Sequence, residues 1–119
     1  GTIWTKDKNQ KVNIFPAPNN ELIFGNTIGW NAYLQKYVMI HNDGYLVDLI
    51  VIRTADNITG LWSPAKIIAD CDKEDNDLFP CYAAQYHPEY DKNGGQTIYL
   101  SAANGQRYYL YGLEINLQK

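Results

Sequence analysis

The stretch VIRTADNITGLWSPAKII, residues 51–68, decides the fold class. It passes from apolar β-branched residues into a polar run with a glycine, and it returns through a tryptophan and a Ser-Pro pair. Val and Ile favour strands, whereas Asp, Asn and Gly favour turns. The stretch therefore predicts a β-hairpin with an inner strand and a returning strand. Because Pro64 cannot donate to a sheet ladder, we expect the returning strand, residues 62–68, at a sheet edge.

Similar short strand patterns recur along the chain, and helical periodicity is almost absent. Turn sequences with Asn-Gly, such as KNGG at 92–95 and ANGQ at 103–106, adopt positive φ at low cost. The sequence therefore predicts an all-β chain of antiparallel meanders. The expected strands are residues 2–5, 11–15, 27–34, 36–41, 45–54, 62–68, 83–90, 96–102 and 107–117.

The architecture follows from residues 46–52, which are apolar on both strand faces apart from Asp48. A strand that is buried on both faces needs a layer on each side. The radially stacked sheets of a β-propeller provide this, whereas a sandwich covers one face of each sheet. We therefore expect antiparallel four-stranded blades, about two blades of a β-propeller, with a β-sandwich as the alternative.

The domain organisation is a single all-β unit, residues 1–119, because this length supports one domain with a modest core. Residues 21–70 form the first predicted blade and residues 82–119 the second. The second blade lacks an outer strand, which we expect the N-terminal segment, residues 1–20, to complete.

Composition and cysteine placement indicate a secreted or extracellular protein. The net charge is −3 without a basic tract, so nucleic acid is not an expected partner, and no apolar run reaches the roughly 20 residues of a membrane span. Cys71 and Cys81 flank an acidic loop and are expected to form a disulfide. The sequon NIT places a glycosylation site at Asn57 in the predicted turn. Because the chain begins with Gly1, we expect a mature product or an excised fragment.

Four blocks, in chain order, resemble the C-terminal blades of a five-bladed β-propeller family: IGWNAYLQKYVM, VIRTADNITGLWSPAKI, YHPEYDKNGGQTIYLSA and YYLYGLEI. The likeness covers roughly residues 20–117. This glycoside-hydrolase-like family is related in shape to arabinanase-type enzymes, was long listed as a domain of unknown function, and includes endo-D-arabinanases. The resemblance implies a fragment or partial chain of a carbohydrate-active propeller, with the acidic catalytic residues on earlier blades.

The carboxylates of this chain leave open whether it is an enzyme. Glycoside hydrolysis needs two carboxyl groups about 5–10 Å apart. The candidates are Asp48, Asp56, Glu89 and Asp91, and no catalytic pair is evident among them from sequence.

A sugar-binding site is predicted around His87 and Glu89. Two positions apart on an expected innermost strand, they share a face, which we expect to point to the propeller channel near Asn31. The alternative is a His–carboxylate pair that braces neighbouring blades.

Aromatic and amide side chains occupy the other expected innermost strand. Trp30, Asn31 and Tyr33 would offer ring faces and hydrogen-bonding groups to a sugar. Blade packing is the alternative and is favoured for Trp30. Arg53 on an apolar strand needs a partner, and a salt bridge to Asp48 or Glu89 is favoured over a substrate contact.

No metal site and no cofactor are expected. The acidic residues near the cysteines would suit Ca²⁺, but they lack the glycine and the final glutamate of an EF-hand, so a solvated loop is preferred. They are Asp70, Asp72, Glu74, Asp75 and Asp77.

Two other functions remain open. One is a non-catalytic, lectin-like module that assembles with copies of itself into a ring. The other is a structural or adhesive β-protein. The expected partners are a carbohydrate together with either further propeller blades or copies of this chain.

Overall fold

The computed structural model describes residues 6–10, 23–43, 49–70, 81–104 and 107–116, and it confirms an all-β chain. Its strands form two antiparallel sheets, each in consecutive order. The first sheet contains β1 (Ile23–Asn31), β2 (Lys36–Asp43), β3 (Leu49–Ala55) and β4 (Lys66–Asp70). The second sheet contains β5 (Cys81–Tyr86), β6 (Thr97–Asn104) and β7 (Arg107–Glu114).

Short 3₁₀ segments lie outside the sheets, at Lys8–Gln10, Pro88–Tyr90 and Asn93–Gly95. Apart from residues 6–10, the N-terminal segment that was expected to complete the second sheet lies outside the described residues. Its role as an additional strand therefore stays a prediction.

The predicted hairpin is present, and its returning strand is shorter than expected. β3 ends at Ala55, the Gly60 N–H donates to the Asn57 carbonyl over 3.0 Å, and β4 begins only at Lys66. Before β4 begins, the Ser63 N–H donates to the Thr54 carbonyl and the Thr54 N–H donates to Ser63 Oγ. Pro64 lies in the connection between β3 and β4. β4 is an edge strand, as predicted, but Pro64 is not part of it. The missing N–H of Pro64 therefore costs the ladder no hydrogen bond.

The predicted strand at 83–90 is wrong at its end, since β5 stops at Tyr86. The His87 N–H still donates to the Tyr99 carbonyl over 2.8 Å. Pro88 then opens a 3₁₀ turn, because its ring fixes φ and removes a backbone donor. Glu89 consequently lies on a turn rather than on an innermost strand.

The strand predicted at 27–34 also ends early. β1 stops at Asn31 and residues 32–35 form a turn. Tyr33 therefore does not share a strand face with Asn31, and the expected pairing of these two side chains on one strand is wrong. Gln35 adopts a positive φ of 53° in this turn.

The core lies between the two sheets, where β5 packs against β1 and β2. Complete burial of a large apolar side chain contributes about 1.5–3 kcal/mol. Gly29 permits the close approach, because a Cβ at this position would lie 2.9 Å from Tyr86 Cε1. The buried core residues are Val38, Ile40, Ile50, Cys81, Ala84, Tyr86, Ile98, Leu100 and Ala102.

The opposite face of the first sheet is buried as well. Met39, His41, Val51 and Arg53 alternate with the core residues along β2 and β3, and none of them is more than 3% exposed. The two central strands of this sheet thus have covered side chains on both faces, as the apolar pattern of residues 46–52 predicted for β3.

Two β-bulges lie opposite each other where the sheets meet. Gly25 in β1 has φ +56° and Ala83 in β5 has φ +55°, and a Cβ at Gly25 would lie 3.9 Å from Ala83 Cα. The Asn42 side chain bonds the bulged strand: Oδ1 accepts from Ala84 N at 2.9 Å, and Nδ2 donates to Cys81 O at 3.3 Å. A polar side chain of the first sheet thus satisfies backbone groups of the second.

Candidate functional site

The connection between β5 and β6, residues 87–96, carries the principal polar cluster. Its two turns are closed by hydrogen bonds from Tyr90 N to His87 O at 3.0 Å and from Gly95 N to Lys92 O at 3.1 Å. Gly94 and Gly95 adopt positive φ, which glycine accepts without strain. The predicted Asn-Gly-Gly turn is therefore present and brings the connection back into β6.

His87 bonds through both ring nitrogens. Nδ1 lies 3.0 Å from Glu89 Oε1, and Nε2 lies 2.7 Å from Ser101 Oγ. A backbone hydrogen bond within Glu89 and the contact with His87 hold the pKa of the Glu89 carboxyl below its usual range. An ionised carboxylate only accepts, so Nδ1 carries the proton, and in the neutral ring Nε2 accepts from the Ser101 hydroxyl.

An open groove with a volume of about 340 Å³ adjoins this cluster and is lined by Tyr90, Lys92, Tyr99 and Leu110. The Tyr90 ring lies 6.0 Å from the His87 ring, and Lys92 Nζ lies 5.7 Å from the centre of the Tyr99 ring. The aromatic surface of the groove therefore adjoins the hydrogen-bonded side chains of Glu89, His87 and Ser101.

The register of the second sheet places Ser101 beside the groove. Tyr99 and Ser101 are two positions apart on β6 and share a face, and Leu110 of β7 is the direct cross-strand partner of Ser101. Gly112 lies opposite Tyr99, and a Cβ there would lie 3.3 Å from Tyr99 Cε1. Two of the four lining residues are thus neighbours of Ser101 on this face of the sheet.

Tyr86 and Asp91 form a second polar contact beneath the connection. The Tyr86 hydroxyl donates to Asp91 Oδ2, and the buried Asp91 Oδ1 has no hydrogen-bond partner among the described residues. Burial, followed by the hydrogen bond and charge of Asp91, raises the pKa of the Tyr86 phenol. Burial also raises the pKa of Asp91, which the hydrogen bond from Tyr86 opposes and the charge of Glu89 reinforces.

Asn31 occupies a bracing position. Its side chain is fully buried, with Nδ2 donating to Gly95 O at 2.8 Å and Oδ1 accepting from Leu34 N at 2.9 Å. The Tyr33 N–H donates to Gly94 O at 2.7 Å. Both residues therefore tie the end of β1 to the β5–β6 connection through their hydrogen bonds.

Arg53 also occupies a bracing position. It is buried, and it donates from Nε to His41 Nε2 at 3.1 Å and from Nη1 to Ser63 O at 3.2 Å. Of the two carboxylates predicted as its partners, Asp48 lies outside the described residues and Glu89 contacts His87. Arg53 points to the face of the first sheet that lies away from the second sheet, so the structure does not bring it to the groove.

Trp30 is half-exposed and packs edge-on against its cross-strand partner Tyr37, with ring centres 5.1 Å apart. This contact matches the packing role that the sequence favoured for Trp30. Sequence patterns missed Ser101 because its bond to His87 crosses between strands. The alternation of outward-facing residues along β6 was the available signal.

The remaining predicted sites have different outcomes. Asn57 is exposed in the β3–β4 turn, so its side chain is accessible for glycosylation, which stays a prediction. Cys81 is buried at the start of β5, but Cys71 lies outside the described residues, so the disulfide stays a prediction.

Within the residues that the structure describes, no group of three or more His, Cys, Asp and Glu side chains is arranged to hold a metal ion. The acidic residues at 72–77 lie outside them. Within the described residues, no helix is long and apolar enough to span a membrane.

No protein-family model and no curated protein sequence matches this chain. The resemblance to the five-bladed family therefore stays a prediction.

Proposed function

We propose that the groove beside His87 binds a carbohydrate. The observation that carries this proposal is the junction of two tyrosine rings, Tyr90 and Tyr99, with the hydrogen-bonded side chains of His87 and Glu89. Sugar rings present CH groups to aromatic faces and hydroxyls to polar side chains, and this groove offers both.

The groove has the size and charge for such a ligand. Its volume of about 340 Å³ lies at the lower end of the roughly 300–1,000 Å³ of small-molecule sites. Glu89 accepts hydrogen bonds from sugar hydroxyls, and Lys92 donates to them. Asn31 and Arg53 lie outside the binding site in this proposal, because their polar groups bond to the protein.

The parent architecture in this proposal is a secreted, glycoside-hydrolase-like β-propeller, with the two sheets as neighbouring blades. Its support is the consecutive strand order, the packing of β5 against β1 and β2, and the burial of β2 and β3 on both faces. The accessible sequon at Asn57 and the predicted Cys71–Cys81 disulfide support secretion.

A ring-forming, lectin-like module is the second candidate. The second sheet exposes large side chains on β7, with Tyr108 85% and Leu110 67% exposed. Exposed apolar surface of this kind marks interfaces. It would fit a further blade or a second copy of the chain.

The experiment is a calorimetric titration of the 119-residue chain with oligosaccharides selected on a glycan array. We expect Tyr90→Ala and Tyr99→Ala to weaken binding by roughly tenfold, since one aromatic contact contributes about 0.5–1.5 kcal/mol. Glu89→Gln should also weaken binding while the chain stays folded. Tyr108→Ala is the matched control, because this exposed tyrosine does not line the groove.

Light scattering on the same variants separates the two candidates. A sugar site predicts that Tyr90→Ala changes affinity and leaves the solution mass unchanged. A mass that falls in both Tyr90→Ala and Tyr108→Ala, without glycan binding by the wild type, would replace the sugar site with a protein interface.

A further inference from the structure

Ser101, His87 and Glu89 form a chain of hydrogen bonds with the order of a nucleophile, a base and an orienting carboxylate. Oγ lies 2.7 Å from Nε2, and Nδ1 lies 3.0 Å from Oε1. We propose that Ser101 is a nucleophile and that this site hydrolyses carboxylic esters.

Both distances meet the requirement for activating a serine, which is a nucleophile within about 2.6–3.2 Å of a base that a third group orients. Glu89 holds the proton on Nδ1, which leaves the lone pair of Nε2 directed at the Ser101 hydroxyl. Such a constellation is recognised by geometry and not by position in the sequence. Here the serine lies within a strand, which explains why no nucleophile motif accompanies it.

Ser101 lies next to two residues that line the groove. It is only partly buried on the outer face of β6, and Tyr99 and Leu110 on either side of it line the groove. Lys92 also lines the groove and brings a positive charge to it. In this proposal, an ester bound in the groove presents its carbonyl carbon to the Ser101 hydroxyl.

Ser63, the other serine of the chain, has no such environment. Its Oγ accepts from Thr54 N at 2.9 Å and donates to Pro64 O at 3.2 Å. These backbone partners do not remove its proton. Ser63 is therefore an internal reference for the reactivity of Ser101.

The reaction balances with water as the only co-substrate. Ser101 Oγ bonds to the acyl carbon while His87 Nε2 takes the hydroxyl proton. The bond to the leaving oxygen breaks, and His87 returns the proton to the departing alcohol. Water then attacks the acyl-serine with His87 as the base, which releases the carboxylic acid and restores the Ser101 hydroxyl.

The substrate class is a carboxylic ester whose alcohol portion occupies the groove. An O-acylated sugar is the natural alcohol portion. This choice rests on the proposed carbohydrate function, whereas the reactivity of Ser101 does not.

The test is covalent labelling of the full chain with a fluorophosphonate, whose phosphorus is attacked by Oγ with loss of fluoride. Peptide mass spectrometry then assigns the label. We expect labelling of Ser101 and not of Ser63 in the wild-type chain, a comparison that needs no variant to fold. Ser101→Ala should abolish the label, and Ser63→Ala should retain it.

The base is tested with His87→Ala, verified as folded by circular dichroism. We expect its labelling rate to fall by about 100-fold or more, in line with general-base contributions, and free imidazole to restore part of it. Glu89→Gln tests a positioning residue. We expect slower labelling, and we expect Glu89→Asp to restore part of the rate, because its carboxylate still accepts from Nδ1.

An unlabelled wild-type chain, equal labelling of both serines, or full labelling of folded His87→Ala overturns the proposal. Carbohydrate binding is measured separately on Ser101→Ala. Retained binding with lost labelling is expected. A chain that labels at Ser101 and binds no glycan retains the ester chemistry and loses the carbohydrate function.

Discussion

The Asn31 side chain at the end of β1 donates to the Gly95 carbonyl in the β5–β6 connection, with 2.8 Å between Nδ2 and O. Gly95 has φ +100°, and a Cβ at this position would lie 2.4 Å from the same Nδ2. The bond is therefore possible only because Gly95 lacks a side chain. This pair connects the end of β1 to the connection that carries His87.

Asn31→Ala should destabilise the protein by about 1–3 kcal/mol, because it removes the partner of the buried Gly95 carbonyl and of the partly buried Leu34 N–H. Urea unfolding provides the measurement. Asn57→Ala, in an exposed turn, should change the free energy of unfolding by less than about 0.5 kcal/mol. Equal effects of the two substitutions would contradict the bracing role of Asn31.

Gly95→Ala should cost more than Gly94→Ala. Both glycines have positive φ, which costs an L-residue roughly 1–2 kcal/mol. At Gly94 a Cβ meets nothing closer than 3.9 Å, whereas at Gly95 it collides with Asn31. In the Asn31→Ala background the extra cost of Gly95→Ala should shrink. Strict additivity in this double-mutant cycle would show that the collision is not the cause.

Arg53→Lys should destabilise the chain by about 1–3 kcal/mol despite the retained charge. A lysine cannot supply two donors in fixed geometry to His41 Nε2 and Ser63 O. The control is Lys36→Ala, which removes an exposed pair with Asp56 that contributes at most about 1 kcal/mol. Urea midpoints at constant pH report both values, and a neutral Arg53→Lys would refute this bracing role.

As the pH rises into the alkaline range, Tyr86→Phe should lose less free energy of unfolding than the wild type. Burial is the main cause that raises the pKa of the folded Tyr86 above its usual value near 10, and the hydrogen bond and charge of Asp91 add to it. Its neutral phenol therefore stabilises the fold fully below about pH 10, and this contribution is lost as the pH rises through the higher pKa of the folded state. Urea unfolding across this range compares the variant with wild type. Tyr108→Phe, at an exposed position, should retain the wild-type slope.

The groove shows which of its features follow from local sequence patterns and which depend on the tertiary structure. The proximity of His87 and Glu89 was predicted from their spacing, and the two side chains are in contact. The predicted shared strand face is wrong, since the contact forms across a Pro88 turn and not along a strand. Ser101 joins them from β6, and that contact depends on how the strands of the second sheet align.

Asn31 and Arg53 show what residue type alone leaves undecided about polar groups. Asn31 was predicted as a sugar contact, whereas a salt bridge was favoured for Arg53 over a substrate contact. The polar atoms of both residues bond to the protein. A buried amide or guanidinium must find partners, and those partners come from distant segments. Their identity is therefore a property of packing.

The sequence by itself determined the all-β class, the hairpin at residues 51–68 and the Asn-Gly-Gly turn, because strand propensity and turn chemistry act over a few neighbouring residues. The tertiary structure alone decided that β5 packs on β1, that Asn31 meets Gly95, and that Ser101 reaches His87. These contacts join residues far apart along the chain, and their positions follow from strand register and sheet packing, which no local pattern encodes.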